Sequence, residues 1–142
     1  PATAPGRRDG LWRHTCFEAF VRRAGEAGYA ELNVSPSGQW AAYRLDGYRE
    51  GLRDLELVAA PVVEVRRGEG RLEVVCRIAR IPEPWRQAER LRLALSAVVE
   101  ADGGALSHWA LAHPAGAPDF HHPAAAVLEV RLEGGGGLSS SA

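Results

Sequence analysis

The sequence contains no lysine and no methionine, has only two cysteines, and has no apolar run near the ~20 residues of a membrane-spanning helix. The lack of methionine excludes a methionine-ligated haem or copper site within this chain. The 17 basic residues are all arginine and are scattered, and the formal net charge is −1. That balance gives no field that would recruit nucleic acid or an anionic membrane surface. Because no secretory signal is visible, we expect a cytoplasmic protein.

Cysteine usage indicates a reduced environment. Cys16 and Cys76 both lie in apolar, strand-like segments. A disulfide between them stays open in principle, but nothing indicates an oxidising compartment. We therefore expect two buried free thiols.

Most of the chain alternates apolar and polar residues with a period of two, as half-buried strands do. The pattern runs over 29–35, is interrupted by turn residues at 36–38, and resumes over 40–46, which predicts a hairpin. Turn signals at 25–28, 67–70 and 101–104 separate other short strands. We expect an all-β fold, an antiparallel β-sandwich of jelly-roll or immunoglobulin-like type. The other predicted strands are 16–22, 62–66, 72–78, 91–99, 106–111 and 128–132.

The length of 142 residues predicts one domain with a core of its own. We expect a flexible N-terminal segment over 1–10, the sandwich over 11–133 and a flexible Gly/Ser tail over 134–142. At most a short helix is expected between 84 and 95.

Aromatic and polar side chains suited to recognition are concentrated between residues 11 and 51. Aromatic rings stack on the apolar face of a sugar, whereas acids and amides bind its hydroxyls; the same aromatic residues can instead fill the ends of the core. Glu18 is in register with apolar neighbours, and Arg44 is its predicted partner in a structural ion pair or a ligand site. A pair of carboxylates is also compatible with glycoside hydrolysis. That reaction requires a specific distance between the two carboxyl groups, which the sequence does not give. The candidates are Trp12, Trp40, Trp109, Tyr43, Tyr48, Glu18, Glu31 and Asn33.

Four of the five histidines lie in the proline-rich segment 108–123, together with Asp119. Their spacing matches no zinc motif. One interpretation of the segment is a rigid loop whose histidines form hydrogen bonds with the backbone. The other is that its histidines contact a bound small molecule or coordinate a metal or haem iron. The candidate ligating residues are His14, His113 and His121.

No nucleophile with a base is evident. His14 lies two residues from Cys16, but nothing indicates an exposed thiolate, and the serines lie outside any nucleophile-elbow motif. We therefore expect no enzymatic activity.

Three strings, LWRHTCFEAF, YAELNVSPSGQWAAYRLDGYREG and WALAHPAGAPDFHHP, resemble bacterial DOMON-like proteins related to the family 9 carbohydrate-binding modules. The resemblance implies a jelly-roll sandwich that binds a sugar or haem in a cleft, without catalysis. Because such proteins carry one or two further strands before the first string, it also implies a sandwich lacking one or two N-terminal strands here. The family pattern points to Trp12, His14, Glu18, Glu31, Asn33, Ser35, Trp40, Tyr43, Trp109, His113, Asp119, Phe120 and His121.

From the residues and the resemblance together we expect a non-catalytic domain that binds a carbohydrate-like or other small polar ligand. No cofactor is expected under this hypothesis. The alternatives are a haem-binding domain with an axial histidine and a protein-interaction module. The expected ligand-binding residues are Trp12, His14, Glu31, Asn33, Trp40, Tyr43, Arg44, Trp109, His113, Asp119 and His121.

Overall fold

The computed structural model describes residues 6–133 and 137–141, the second segment as backbone. The described residues form ten strands and three short 3-10 helices, which confirms the predicted all-β class. The helices are Leu11–Arg13, Trp85–Gln87 and Pro123–Ala125. The strands are β1 Cys16–Arg23, β2 Tyr29–Val34, β3 Trp40–Leu45, β4 Arg53–Asp54, β5 Val62–Gly68, β6 Arg71–Arg77, β7 Arg90–Glu100, β8 Leu106–Ala110, β9 Leu128–Glu133 and β10 Gly137–Ser141.

Eight strands make one large antiparallel sheet in the order β10-β9-β7-β1-β2-β3-β4. The eighth, β8, pairs with the second half of β7, while β9 pairs with the first half on the same side. Strands β5 and β6 form a separate hairpin. Because β7 has 11 residues, it can hold two short neighbours end to end.

The large sheet has two faces of different chemistry, as the period of two requires. We call the face with Glu18, Glu31 and Tyr43 the cleft face. We call the face with Ala19 and Leu32 the hairpin face, because Cys76 of the β5–β6 hairpin lines a cavity together with these two residues. Cross-strand pairs fix the assignment: Glu18 lies opposite Asn33 on β2 and Ser96 on β7. Side chains directly opposite each other in a sheet point the same way.

Each face carries its own apolar cluster. On the cleft face, Phe20 and Tyr29 pack with Phe120 and Ala126, which come from the loop between β8 and β9. On the hairpin face, buried Trp85 packs with residues that include Ala30, Leu55 and Leu91. Burying an aromatic side chain of this kind stabilises a fold by roughly 1.5–3 kcal/mol. One cluster holds the loop between β8 and β9 against the cleft face, and the other holds the segment around Trp85 against the hairpin face.

Both ends that were predicted to be flexible contain residues whose backbone pairs with the large sheet. Residues 1–5, 134–136 and 142 lie outside the described residues. Gly6 and Arg8 exchange backbone hydrogen bonds with Trp40, and β10 pairs with β9. The free N–H and C=O groups of a strand edge will pair with any extended backbone. A composition rich in glycine or proline does not reveal such pairing.

Both cysteines are free, as expected, but only Cys16 is fully buried, and Cys76 is half-buried. The short helix expected after residue 84 is Trp85–Gln87. Within residues 6–133 and 137–141, no helix is long and apolar enough to cross a membrane.

Candidate functional site

A cleft of about 400 Å³ opens on the cleft face. Its floor comes from β1, β2, β3 and β7, and its walls come from the helix at Leu11–Arg13, the turn after β3 and the loop before β9. Small-molecule sites in proteins usually enclose about 300–1,000 Å³. The lining residues are Trp12, Glu18, Glu31, Tyr43, Leu45, Arg49, Leu52, Val98, His108, Pro118, Phe120 and His121.

Two carboxyl groups and an amide lie together at the floor. Ser96 Oγ donates a hydrogen bond of 3.3 Å to Glu18 Oε2, and Asn33 Nδ2 donates one of 3.1 Å to Glu31 Oε1. Asn33 is fully buried, and its Oδ1 has no hydrogen-bond donor among the described residues. A buried acceptor without a donor costs free energy, commonly about 1–3 kcal/mol. The floor therefore has spare acceptor capacity.

Burial makes the floor acids weak. Desolvation, followed by the charge of Glu31, raises the pKa of Glu18 to about 7. Desolvation also raises the pKa of Glu31, against the hydrogen bond from Asn33. Two like charges in a site of low dielectric disfavour double ionisation. Because the pKa of Glu18 is about 7, its carboxyl group is partly protonated near neutral pH and can donate as well as accept a hydrogen bond.

His121 forms the wall beside Glu31. Arg49 N–H donates to the hydroxyl of Tyr29 (3.1 Å), and that hydroxyl lies 2.7 Å from His121 Nδ1. Burial, then the charge of Arg49, lowers the pKa of His121 to about 4. The ring is thus neutral, and with Nδ1 as acceptor its proton lies on Nε2, 3.9 Å from Glu31 Oε2. This contact is not an ion pair at neutral pH.

Aromatic rings line the cleft, and Trp12 is the exposed one among them. Trp12 is 42% exposed and meets Tyr43 edge-on, with ring centroids 6.3 Å apart. The Tyr43 hydroxyl donates to Asp9 Oδ1 at 2.6 Å, which fixes the ring and ties the N-terminal segment to β3. Phe120 packs beside His108 on the other wall. A partly exposed tryptophan held above polar groups offers an apolar surface for stacking.

Asp119 braces the loop that carries His121. Its Oδ1 accepts from Arg49 Nη2 at 3.0 Å and from the His121 N–H at 3.2 Å, and its Oδ2 accepts from the Tyr48 hydroxyl. Asp119 does not line the cleft. Its carboxylate holds the loop against the turn after β3.

Of the predicted ligand-binding residues, the structure brings Trp12, Glu31, Tyr43 and His121 to the cleft, with Asn33 buried beneath. Trp40 and Arg44 lie on the hairpin face, because they pair with Val34 and Ala30 rather than with the odd-numbered residues of β2. Arg44 is therefore not the partner of Glu18, and Ser96 takes that place. Trp109 is opposite Ala97 on the hairpin face.

The predicted histidines do not converge. His14 is 74% exposed and bonds Glu100 at 2.8 Å, away from the cleft. His113 packs against Phe120 but does not line the cleft. In the part of the chain that the structure describes, no group of three or more His, Cys, Asp or Glu residues is arranged to hold a metal ion.

Sequence reasoning did not assign Arg49, His108, Leu52 or Ser96 to the site. Ser96 carried a signal, since it is the one hydroxyl in the apolar run LRLALSAVV of β7. Arg49 carried none: it sits in a turn, with φ of 52°, and reaches the cleft only because that turn folds back over β3.

No protein-family model matches this sequence, and neither a curated protein nor a solved structure matches it.

Proposed function

We propose that this chain is a non-catalytic, DOMON-like domain that binds a carbohydrate-like ligand in the cleft. The observation that supports it most is the pairing of a polar floor with an aromatic wall. Glu18 and Glu31 lie at the floor of a cavity of about 400 Å³, and the exposed ring of Trp12 forms part of its wall, packed against the buried ring of Tyr43. A sugar ring has the same two-sided character, with apolar C–H groups on one face and hydroxyls around it.

The polar groups match hydroxyls, which both donate and accept. Glu18, with its pKa raised to about 7, can do either, Glu31 adds acceptor oxygens, and the Nε2–H of His121 adds a donor beside Glu31. Trp12 is exposed enough to stack on the ring without leaving the fold. Such a preformed site gains affinity from aromatic burial and a few aligned hydrogen bonds.

The arrangement of the acids supports binding rather than glycoside hydrolysis. Glu18 and Glu31 are diagonal neighbours on adjacent strands and point to the same side of the sheet. A glycosidase places one carboxyl group on each side of the scissile bond, with one of them ionised. Here both carboxyl groups lie together at the floor of the cleft, so they do not face each other across a space for the scissile bond.

Tryptophan fluorescence during titration with a panel of mono- and disaccharides tests the proposal. We expect a saturable change that is lost in Trp12→Ala and retained in Trp109→Ala, a matched control on the hairpin face. Glu31→Gln should weaken binding about tenfold or more, as the loss of a charge-assisted hydrogen bond does. Circular dichroism checks that each variant folds.

Two results would contradict the proposal. One is the absence of any sugar-dependent signal in the parent protein. The other is a signal that Trp12→Ala leaves intact. A Soret band on adding haem, lost in His121→Ala, would instead favour the haem alternative.

A further inference from the structure

A second cavity, of about 280 Å³, lies on the opposite side of the large sheet. The hairpin face forms its floor through residues such as Ala19 and Leu32, and the segment after β6, with Ile78 and Trp85, forms its roof. Its walls are overwhelmingly apolar. A cavity of this kind holds water poorly, because water needs several polar partners.

The apolar cavity adjoins a pocket of different chemistry. The two share Leu55, Ile81 and Pro82 as lining residues. This neighbouring charged pocket, of about 400 Å³, is lined by four arginines and three acids. The apolar cavity therefore borders a charged pocket.

Most of those charges are already paired, and two arginines are not. Arg53 pairs with Asp46 and Arg86 with Glu83, while Asp54 pairs with Arg7 from outside the pocket. Among the described residues, Arg44 and Arg80 make no ion pair. The remaining acid of the pocket, Glu56, also makes no ion pair. Its single negative charge can neutralise only one of the two arginines.

Arg44 marks the junction of the two compartments. It follows Ala42, a cavity residue, by two positions on β3, so both side chains are on the hairpin face. Its guanidinium lies 5.7 Å from the ring centre of Trp85, which lines the cavity. A planar guanidinium held beside an aromatic ring is a common receptor for a carboxylate.

We propose that this chain binds a medium-chain alkyl carboxylate at a second site, with the alkyl tail in the hairpin-face cavity and the carboxylate at Arg44 and Arg80. The charge at the mouth complements an anion, and the walls complement a hydrocarbon. A water occupies about 30 Å³ in the liquid and a methylene group is of similar size, so a tail of roughly nine carbons fills the cavity. Decanoate has that tail.

Isothermal titration with decanoate and with decanol, below any micellar concentration, separates the two halves of the site. We expect decanoate to bind at least tenfold more tightly than decanol. Arg44→Gln and Arg80→Gln should bring decanoate to the level of decanol and leave decanol unchanged. Arg131→Gln, an exposed arginine on β9, is the matched control.

A cavity-filling pair tests the tail. Ala19→Leu adds methyl groups into the cavity and should weaken both ligands at least tenfold, whereas Ala97→Leu, on the same face but outside the cavity, should weaken neither. Trp12→Ala should leave decanoate binding intact, which separates this site from the cleft. No binding of decanoate, equal binding of decanol, or binding insensitive to Ala19→Leu would overturn the proposal and leave the cavity as imperfect packing.

Discussion

Glu18 is the residue whose ionisation the fold opposes most clearly. Its pKa is raised to about 7 by burial and by Glu31. An unfolded chain ionises this carboxyl near pH 4.5, while the folded protein keeps it protonated. Between these two values the folded state binds more protons, so the free energy of unfolding falls as the pH rises. The full loss is about 3 kcal/mol above pH 7.

Glu18→Gln should remove that loss. Glutamine keeps the shape of the side chain and can still accept the hydrogen bond from Ser96. Urea unfolding should show the variant more stable than the parent by about 2–3 kcal/mol at pH 8, with little difference near pH 4.5. Glu26→Gln, at an exposed position, serves as the control. A Glu18→Gln effect of equal size at both pH values would contradict the assigned pKa.

At the level of single residues, the sequence predicted that Glu18 faces an apolar layer but not which groups it meets. Alternation alone places Glu18 and Glu31 on one face of their strands. The partner of Glu18 depends on which residue of β7 lies opposite, and register between distant strands is set by packing that no local pattern encodes. The prediction of Arg44 failed for a different reason, since Arg44 pairs with Ala30 and points to the hairpin face.

The β5–β6 hairpin is the element with the least support from its neighbours. Among the described residues its two strands pair only with each other, whereas β1 has a strand on each side. Gly70 is the turn residue just before β6 and has φ of +65°, a conformation that a side chain makes unfavourable. Nothing lies within 4 Å of a Cβ added there, so a substitution acts through the backbone alone.

Gly70→Ala should destabilise this hairpin locally by about 1 kcal/mol. Native-state hydrogen exchange should show amides of β5 and β6 exchanging about fivefold faster, with those of β1 and β7 unchanged. Gly68→Ala is the matched control, since Gly68 has no positive φ and equally open surroundings. Faster exchange throughout the large sheet would show that the hairpin is not a separate unit.

The strands themselves were largely predictable, because most of them alternate in polarity and are bounded by turn residues. Strand β4 has two residues, too few for any pattern, and β10 forms in a Gly/Ser segment through backbone pairing. The faces were less well assigned. Trp40 and Tyr43 are three positions apart on one regular strand, so they cannot share a face, although both were expected at the ligand.

Across the whole molecule, burial in the cleft opposes the ionisation of both Glu18 and His121, and the two groups make stability depend on pH in opposite directions. Burial lowers the pKa of His121 to about 4, so its contribution to stability is present above pH 6.5 and is lost as the pH falls toward 4. Glu18 acts in the opposite direction over an overlapping range, from pH 4.5 to 7. Between about pH 4.5 and 6.5 the two proton linkages nearly cancel.

A double-mutant cycle over Glu18→Gln and His121→Asn should separate them. Asparagine keeps an acceptor near the Tyr29 hydroxyl. All changes are measured from pH 4.5 to 6.5 relative to the double variant. The free energy of unfolding of Glu18→Gln, in which His121 still titrates, should rise by about 2–3 kcal/mol. That of His121→Asn, in which Glu18 still titrates, should fall by a similar amount. The parent should parallel the double variant, since every other titrating group is common to all four proteins. Parallel profiles for all four would mean that water reaches the cleft floor and that neither group is held neutral by burial.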